Sequence, residues 1–351
     1  MHVDEASQIR RGRRVVARTY EAAVATEAHL TPSDLLALVA EPLARVEVEF
    51  QRSLDSDVGI IAEIGQYIAR SGGKRLRPAL VLLAARACEY DGDKDILYAS
   101  VFEFIHTATL VHDDVIDGAM LRRGQQSVNS RWGNTLTVLL GDYLYIRSLK
   151  LALRGEDLRV LDLLADVTLK MIEGELMQNN TKGRVDITEA EYLDILTRKT
   201  ACLFSGCCRT GALLVSRDDW LDPMNEFGLA LGIAFQLVDD LLDFTSEEAV
   251  LGKPVASDLR EGKLTLPVID LLSRRPSLLP TVQCIVDSPG ESDAAYARLT
   301  AGLVEEGCLD RARDRAHAEA IRAREALACL PPSIYREALV ALPDLLVSRT
   351  V

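Results

Sequence analysis

Two short acidic motifs constrain this chain more than any other feature. Leu110-Val-His-Asp-Asp-Val-Ile-Asp117 has a second edition far downstream in Phe235-Gln-Leu-Val-Asp-Asp-Leu-Leu-Asp243, with the same Asp-Asp-x-x-Asp spacing in an apolar run. On a helix of about 3.6 residues per turn, residues four apart lie about 40° apart around the axis. Asp113 with Asp117, and Asp239 with Asp243, are therefore neighbours on one helix face. Like charges so placed repel, so a counter-charge must justify them. Two such helices face to face would make a cage of hard oxygen ligands. That cage suits Mg²⁺, which takes one or two carboxylates and completes its shell with water and phosphate oxygens. Neither motif has the Gly-centred loop of a Ca²⁺ site, and His and Cys at zinc spacing are missing.

The remaining sequence favours helices. Of 351 residues, 48% are hydrophobic and only 5% aromatic, so a large core can form from Ala- and Leu-rich, non-alternating segments. A net charge of −13 argues against general nucleic-acid binding. Local Lys and Arg clusters can still hold an anionic substrate. Seven cysteines form no CxxC pair; Cys202, Cys207 and Cys208 read as small core residues, and the odd count points to a reducing cytoplasm. No apolar run approaches the roughly 20 residues that span a bilayer. Residues 1–30 carry Arg10, Arg11, Arg13 and Arg14 beside Asp4 and Glu5, and read as a flexible N-terminal extension. With no low-complexity linker beyond it, residues 31–351 read as one all-α domain, a single large helical bundle.

Helical patterns run from about Ser33 to Leu54, from Val58 to Ala69 and from Asp95 to Asp117. Further ones cover Asn134 to Asn180 with a break near Gly155, Glu189 to Val215, and a segment from Asp222 that bears the second motif. Between them lie cationic turns. Ser71-Gly-Gly-Lys-Arg-Leu-Arg-Pro78 breaks one helix and starts the next, so Lys74 and Arg77 can meet phosphate at a helix N-terminus. His106 lies seven residues before Asp113 and shares its face, whereas His112 does not and reads as structural. Arg122-Arg123-Gly124 follows the first motif as charge compensation or as a bidentate diphosphate clamp. Lys199 sits in the apolar surroundings of Arg198-Lys-Thr200, Gln236 is one turn before Asp239, and Lys253 and Lys263 lie in the loop after the second motif.

Taken together, these stretches resemble the trans-isoprenyl (polyprenyl) diphosphate synthases. The ordered set comprises Gly72–Pro78, the first motif through Gly124, Arg198-Lys-Thr200, the second motif, Gly252-Lys-Pro254 and Gly262-Lys263. The resemblance implies an all-helical fold around a deep central cavity, usually a homodimer, that condenses isopentenyl diphosphate head to tail with an allylic diphosphate. It implies that Asp113, Asp117 and Asp239 bind Mg²⁺, supported by Asp114, Asp240 and Asp243. By the same resemblance Arg122, Lys199, Thr200, Gln236, Lys253 and Lys263 hold the allylic diphosphate. Lys74, Arg77, His106 and Arg123 hold isopentenyl diphosphate.

Product length should depend on the residues below the first motif. Thr109 and Ala108, then Ile105, then Phe102 stand about one, two and three turns before Asp113, with Phe102 about 16 Å down the helix. Family enzymes with short products commonly carry a bulky aromatic at the first level. Ala108 and Thr109 are small, which favours a medium or long product beyond fifteen carbons, with Phe102 as the stop. A class I terpene cyclase would leave Gly72–Pro78, His106 and Arg123 unexplained. A non-catalytic subunit of a heteromeric synthase should have lost carboxylates from one motif, and a helical scaffold explains none of the ordered set.

Overall fold

The computed structural model describes residues 31–70, 72–73, 75–245, 256–288 and 293–348. Lys74, Lys253 and the N-terminal extension lie outside the described residues.

Helix starts follow the caps written in the sequence. Thr31 accepts from the Asp34 amide while the Asp34 carboxylate accepts from the Thr31 amide at 2.8 Å, and this capping box opens α1 (Pro32–Ala37). The single helix expected to reach Leu54 is interrupted, and α2 spans Ala40–Leu54. Pro42 explains the break, because it has no N–H for the carbonyl of Leu38 and is tolerated only in a first turn. Next come α3 (Gly59–Arg70), α4 (Leu76–Ala87) and α5 (Lys94–Ile116), the last ending at the first acidic motif. Two-residue strands β1 (Leu121–Arg122) and β2 (Gln125–Gln126) then pair antiparallel around the cationic turn that follows the first motif. Arg123 and Gly124 both have positive φ, 53° and 76°, the geometry a two-residue hairpin turn requires.

The chain continues through α6 (Val128–Trp132), α7 (Asn134–Leu153), α8 (Leu158–Thr181) and α9 (Glu189–Leu196). A five-residue π-helical turn, Thr197–Ala201, leads directly into α10 (Cys202–Leu214). The second motif lies on α11 (Leu221–Thr245), followed by α12 (Ser257–Arg260), α13 (Leu266–Arg274), α14 (Leu279–Asp287), α15 (Asp293–Glu305), α16 (Cys308–Ala326) and α17 (Ile334–Val347). Among the described residues, no helix is long and apolar enough to cross a membrane.

These elements form two compact units. The described residues of 1–165, 206–224 and 329–339 make up the first, and those of 166–205, 225–328 and 340–351 the second. In the first, α4 is buried on every side from Ala79 to Ala85, the mark of a helix apolar all round. It packs on α5, and α5 packs most extensively on α7. Phe104 of α5 stacks on Phe50 of α2 with centroids 4.4 Å apart. Gly211 lets α10 close against the backbone of Ala84 and Ala85, where a Cβ would come within 2.7 Å. The second unit has its own core, in which Leu237 and Leu241 of α11 meet Val268 and Leu271 of α13 and the small-residue face Ala312, Ala316 and Ala320 of α16.

Candidate active site

In the first unit, α5 and the hairpin after it build a cationic cavity lined by Arg75, His106, Asp114, Arg122 and Arg123. Arg77, on the first turn of α4, places Nη1 3.0 Å from Nε2 of His106. A guanidinium only donates, so Nε2 accepts and the imidazole proton sits on Nδ1. Burial, then the cations Arg77, Arg123, Arg122 and Arg75, push the His106 pKa well below its usual value. His106 is therefore a neutral ring with one remaining N–H to offer an anion.

The six aspartates divide into two sorts. Asp113 and Asp117 remain partly exposed at the end of α5, whereas Asp114 turns inward and is 2% exposed. Arg122 donates to Asp114 Oδ1 at 2.5 Å, which ties the hairpin to the motif. Arg123 donates to the carbonyl of Gly72, so the same hairpin also reaches the glycine turn. On α11, Asp239 is exposed while Asp240 and Asp243 are buried.

Asp240 accepts from Tyr192 Oη at 2.5 Å and from Gln236 Nε2 at 2.8 Å, and Gln236 in turn accepts from the Thr200 hydroxyl at 3.2 Å. Burial, with Asp258 nearby, pushes Asp240 up to about 7, against those two donors. Asp243 accepts from the Ser257 amide and hydroxyl, at 3.1 and 2.7 Å, and from the Asp258 amide at 3.1 Å. It thus fixes the start of α12 and the return of the chain towards Lys263. Asp114, Asp240 and Asp243 are thus engaged by protein donors, and the carboxylates facing outward are Asp113, Asp117 and Asp239.

The second unit holds a cavity lined by Lys199, Thr200, Gln236, Asp240 and Lys263 together with Tyr192. Lys199 pairs with Glu175 and donates to Gln178 Oε1 at 2.5 Å, and Lys263 pairs with Glu261 at 2.9 Å. Arg198 points elsewhere, to Glu173 at 2.6 Å and Asp194 at 2.9 Å. The π turn produces this division, because one extra residue per turn rotates Lys199 and Thr200 relative to α9.

Gly174 makes room for that turn. A Cβ there would lie 2.5 Å from the Lys199 nitrogen and 2.9 Å from its Cα. Gly174→Ala is expected to separate α8 from the π turn, destabilise by about 1–3 kcal/mol, and displace Lys199 within its cavity. A thermal melt together with KM for each substrate checks both effects.

The residues expected to limit product length are closed into the first unit. Phe102 is 0% exposed, and Ile105 and Ala108 are also buried. Thr109 is partly exposed and donates its hydroxyl to the His106 carbonyl at 2.8 Å. His112, read as structural, packs its ring over Gly141 of α7. Sequence reasoning passed over Arg75, Glu103, Tyr192 and Glu175. Glu103 falls three residues before His106, and that interval was the available signal.

As to metal, no group of three or more His, Cys, Asp or Glu side chains is gathered for an ion among the described residues. The outward pair Asp113 and Asp117 nevertheless fits Mg²⁺, which needs only one or two protein carboxylates when phosphate oxygens complete its shell.

The profile of the polyprenyl synthetase family matches residues 58–299. The octaprenyl diphosphate synthase of Haemophilus influenzae is 36% identical over 318 residues, covering 90% of this chain and 97% of that one. The crystal structure of a polyprenyl synthase from Caulobacter crescentus CB15, complexed with calcium and isoprenyl diphosphate, superposes with a TM-score of 0.86 at 35% identity, over 92% of this chain and 99% of that one. A decaprenyl diphosphate synthase from Rhodobacter capsulatus gives 0.86 at 36%, over 91% and 99%. The chain belongs to the polyprenyl synthetase family, with its all-α isoprenoid synthase fold. Its activity is that of a prenyltransferase, a trans-polyprenyl diphosphate synthase of medium or long product, and neither the cyclase nor the silent subunit is favoured.

Proposed function

We propose that this enzyme condenses isopentenyl diphosphate with an allylic diphosphate in a Mg²⁺-dependent reaction, using the residues described above. The observation that carries the reading is the presence of two cationic cavities, one holding His106 and Arg123, the other Lys199 and Lys263. A reaction between two diphosphates needs two anion sites, whereas a cyclase needs one. Lys199, Thr200, Gln236, Lys263 and Arg122, with Lys253, bind the allylic diphosphate. Arg77, His106 and Arg123, with Lys74, bind isopentenyl diphosphate. Asp113, Asp117 and Asp239 would hold Mg²⁺, which when bound neutralises diphosphate charge as a Lewis acid.

The chain's own groups then act as follows. Lys199 and Lys263 release Glu175 and Glu261 to grip the allylic diphosphate, and stabilise the negative charge it gains as the C–O bond breaks with its electron pair. Neutral His106 and Arg77 orient the second substrate so that its double bond attacks the allylic C1 and forms the new C–C bond. A proton is lost next, and the departed diphosphate can accept it, so no strong protein base is required. Apolar walls keep water from quenching the cation.

Phe102 is the stop for the growing chain, with Ile105, Ala108 and Thr109 above it. The family profile runs through both compact units, which supports reading them as one synthase domain. Val138, Leu139, Ile146, Leu149 and Leu153 form an exposed apolar stripe along α7, the kind of face a second copy of the chain covers, and we assign a homodimer on that ground. Seven free cysteines are in keeping with a reducing cytoplasm. The test is incorporation of labelled isopentenyl diphosphate into extractable lipid. It should require Mg²⁺ and an allylic primer together, and vanish with EDTA. Incorporation that persists without a primer or without divalent metal would reject the reading.

A further inference from the structure

Arg75 sits where a substrate turn would least tolerate an idle side chain. It is not glycine, yet its φ is 47° and ψ 34°, a left-handed conformation that is unfavourable for an L-residue. Such strain persists only where the surroundings over-determine it. Here they do. Arg75 Nε and Nη2 both reach Glu47 Oε2 at 2.9 Å, Nη1 reaches Glu103 Oε1 at 2.5 Å, and the guanidinium lies 5.1 Å from the centroid of Phe50. Glu103 is 6% exposed and lines the same cavity as His106 and Arg123. The turn and α5 are thus joined twice in parallel, by Arg75 to Glu103 and, two residues on, by Arg77 to His106, three residues beyond Glu103.

The charge arrangement adds a second consequence. Glu103 is a buried carboxylate in a cavity that must receive an anion, and it attracts Arg123 as well as Arg75. Without Arg75 it would be left buried and unpaired, a costly state that another cation of the same cavity would relieve. That cation is Arg123, which the hairpin already brings to the carbonyl of Gly72.

We propose that Arg75 is a positioning residue: by occupying Glu103 it keeps Arg123 available for the isopentenyl diphosphate, and it holds Arg77 in register with His106. The proposal rests on the assignment of that cavity to isopentenyl diphosphate. Arg75 and Glu103 need touch no substrate for it to hold.

The test is steady-state kinetics of the full chain with Mg²⁺, varying isopentenyl and farnesyl diphosphates separately, for wild type, Arg75→Met, Glu103→Gln and the double variant. Arg75→Met should raise KM for isopentenyl diphosphate about 10–100-fold, the range for losing a charged hydrogen bond. KM for farnesyl diphosphate should stay within about twofold, as for an uncoupled site. Removing the carboxylate should undo the damage, so the double variant should return to within about fivefold of wild type. A double variant no better than Arg75→Met, or both KM values rising together, overturns the proposal and leaves a merely structural arginine.

Should Arg75→Met lose its thermal transition, Arg75→Lys decides instead. It keeps a cation on Glu103 and should hold KM for isopentenyl diphosphate within about threefold, whereas a loss of tenfold or more on the scale of a charged contact would reject the mechanism. An inactive wild type would instead bring down the functional assignment itself, and this inference with it.

Discussion

Asp239→Ala is expected to lower kcat by about 10²–10³-fold, the usual effect of deleting one preorganised electrostatic contact to a developing charge. Its melting temperature should move little, because Asp239 is exposed on α11 and an interaction at an exposed carboxylate is worth about 0–1 kcal/mol. Its neighbour provides the contrast. Asp240 is 4% exposed and accepts from Tyr192 and Gln236, so Asp240→Ala strands two buried donors and should cost about 1–3 kcal/mol of stability. Measuring kcat and a thermal melt for both variants separates an outward, substrate-side carboxylate from an inward, structural one. Equal thermal losses in the two would contradict the division drawn here. Asp113→Ala should follow Asp239→Ala in both respects.

Phe102→Ala should change both product and stability. The side chain is fully buried on α5, and removing a buried phenyl ring typically costs about 3–5 kcal/mol, so the melting temperature falls. If the ring stops the growing chain, the space it vacates admits at least one further five-carbon unit. Sizing the dephosphorylated products of wild type and variant reads this directly. A variant that is less stable but makes the wild-type length would make Phe102 an ordinary core residue, like Phe104 on its stack with Phe50. Ala108→Phe should act in the opposite direction and shorten the product.

The helices and the faces that carry the acidic and basic side chains were legible because their signals are local. Four-residue spacing put Asp113 beside Asp117, seven-residue spacing put His106 on their side, and glycines with Pro78 marked the cationic turn. Long-range partners left no such trace. Asp240 is held by Tyr192, 48 positions away. Helical spacing says which way Asp240 faces but not that a phenol waits there. Asp243 looked like a twin of Asp117 but anchors Ser257, a difference created by where the chain returns. The π turn at Thr197–Ala201 depends on Gly174 in another helix, so Arg198-Lys-Thr200 alone read as continuous helix. Arg75 was overlooked because a basic turn shows its charges openly, whereas the buried Glu103 that claims one of them lies 28 residues away.

The most direct measurement is the size distribution of the lipid made by purified enzyme from farnesyl diphosphate, labelled isopentenyl diphosphate and Mg²⁺. A ladder of five-carbon steps ending at one dominant product beyond fifteen carbons is the predicted result. A cyclic hydrocarbon formed without uptake of label, or no product with any allylic primer from folded protein, would contradict it.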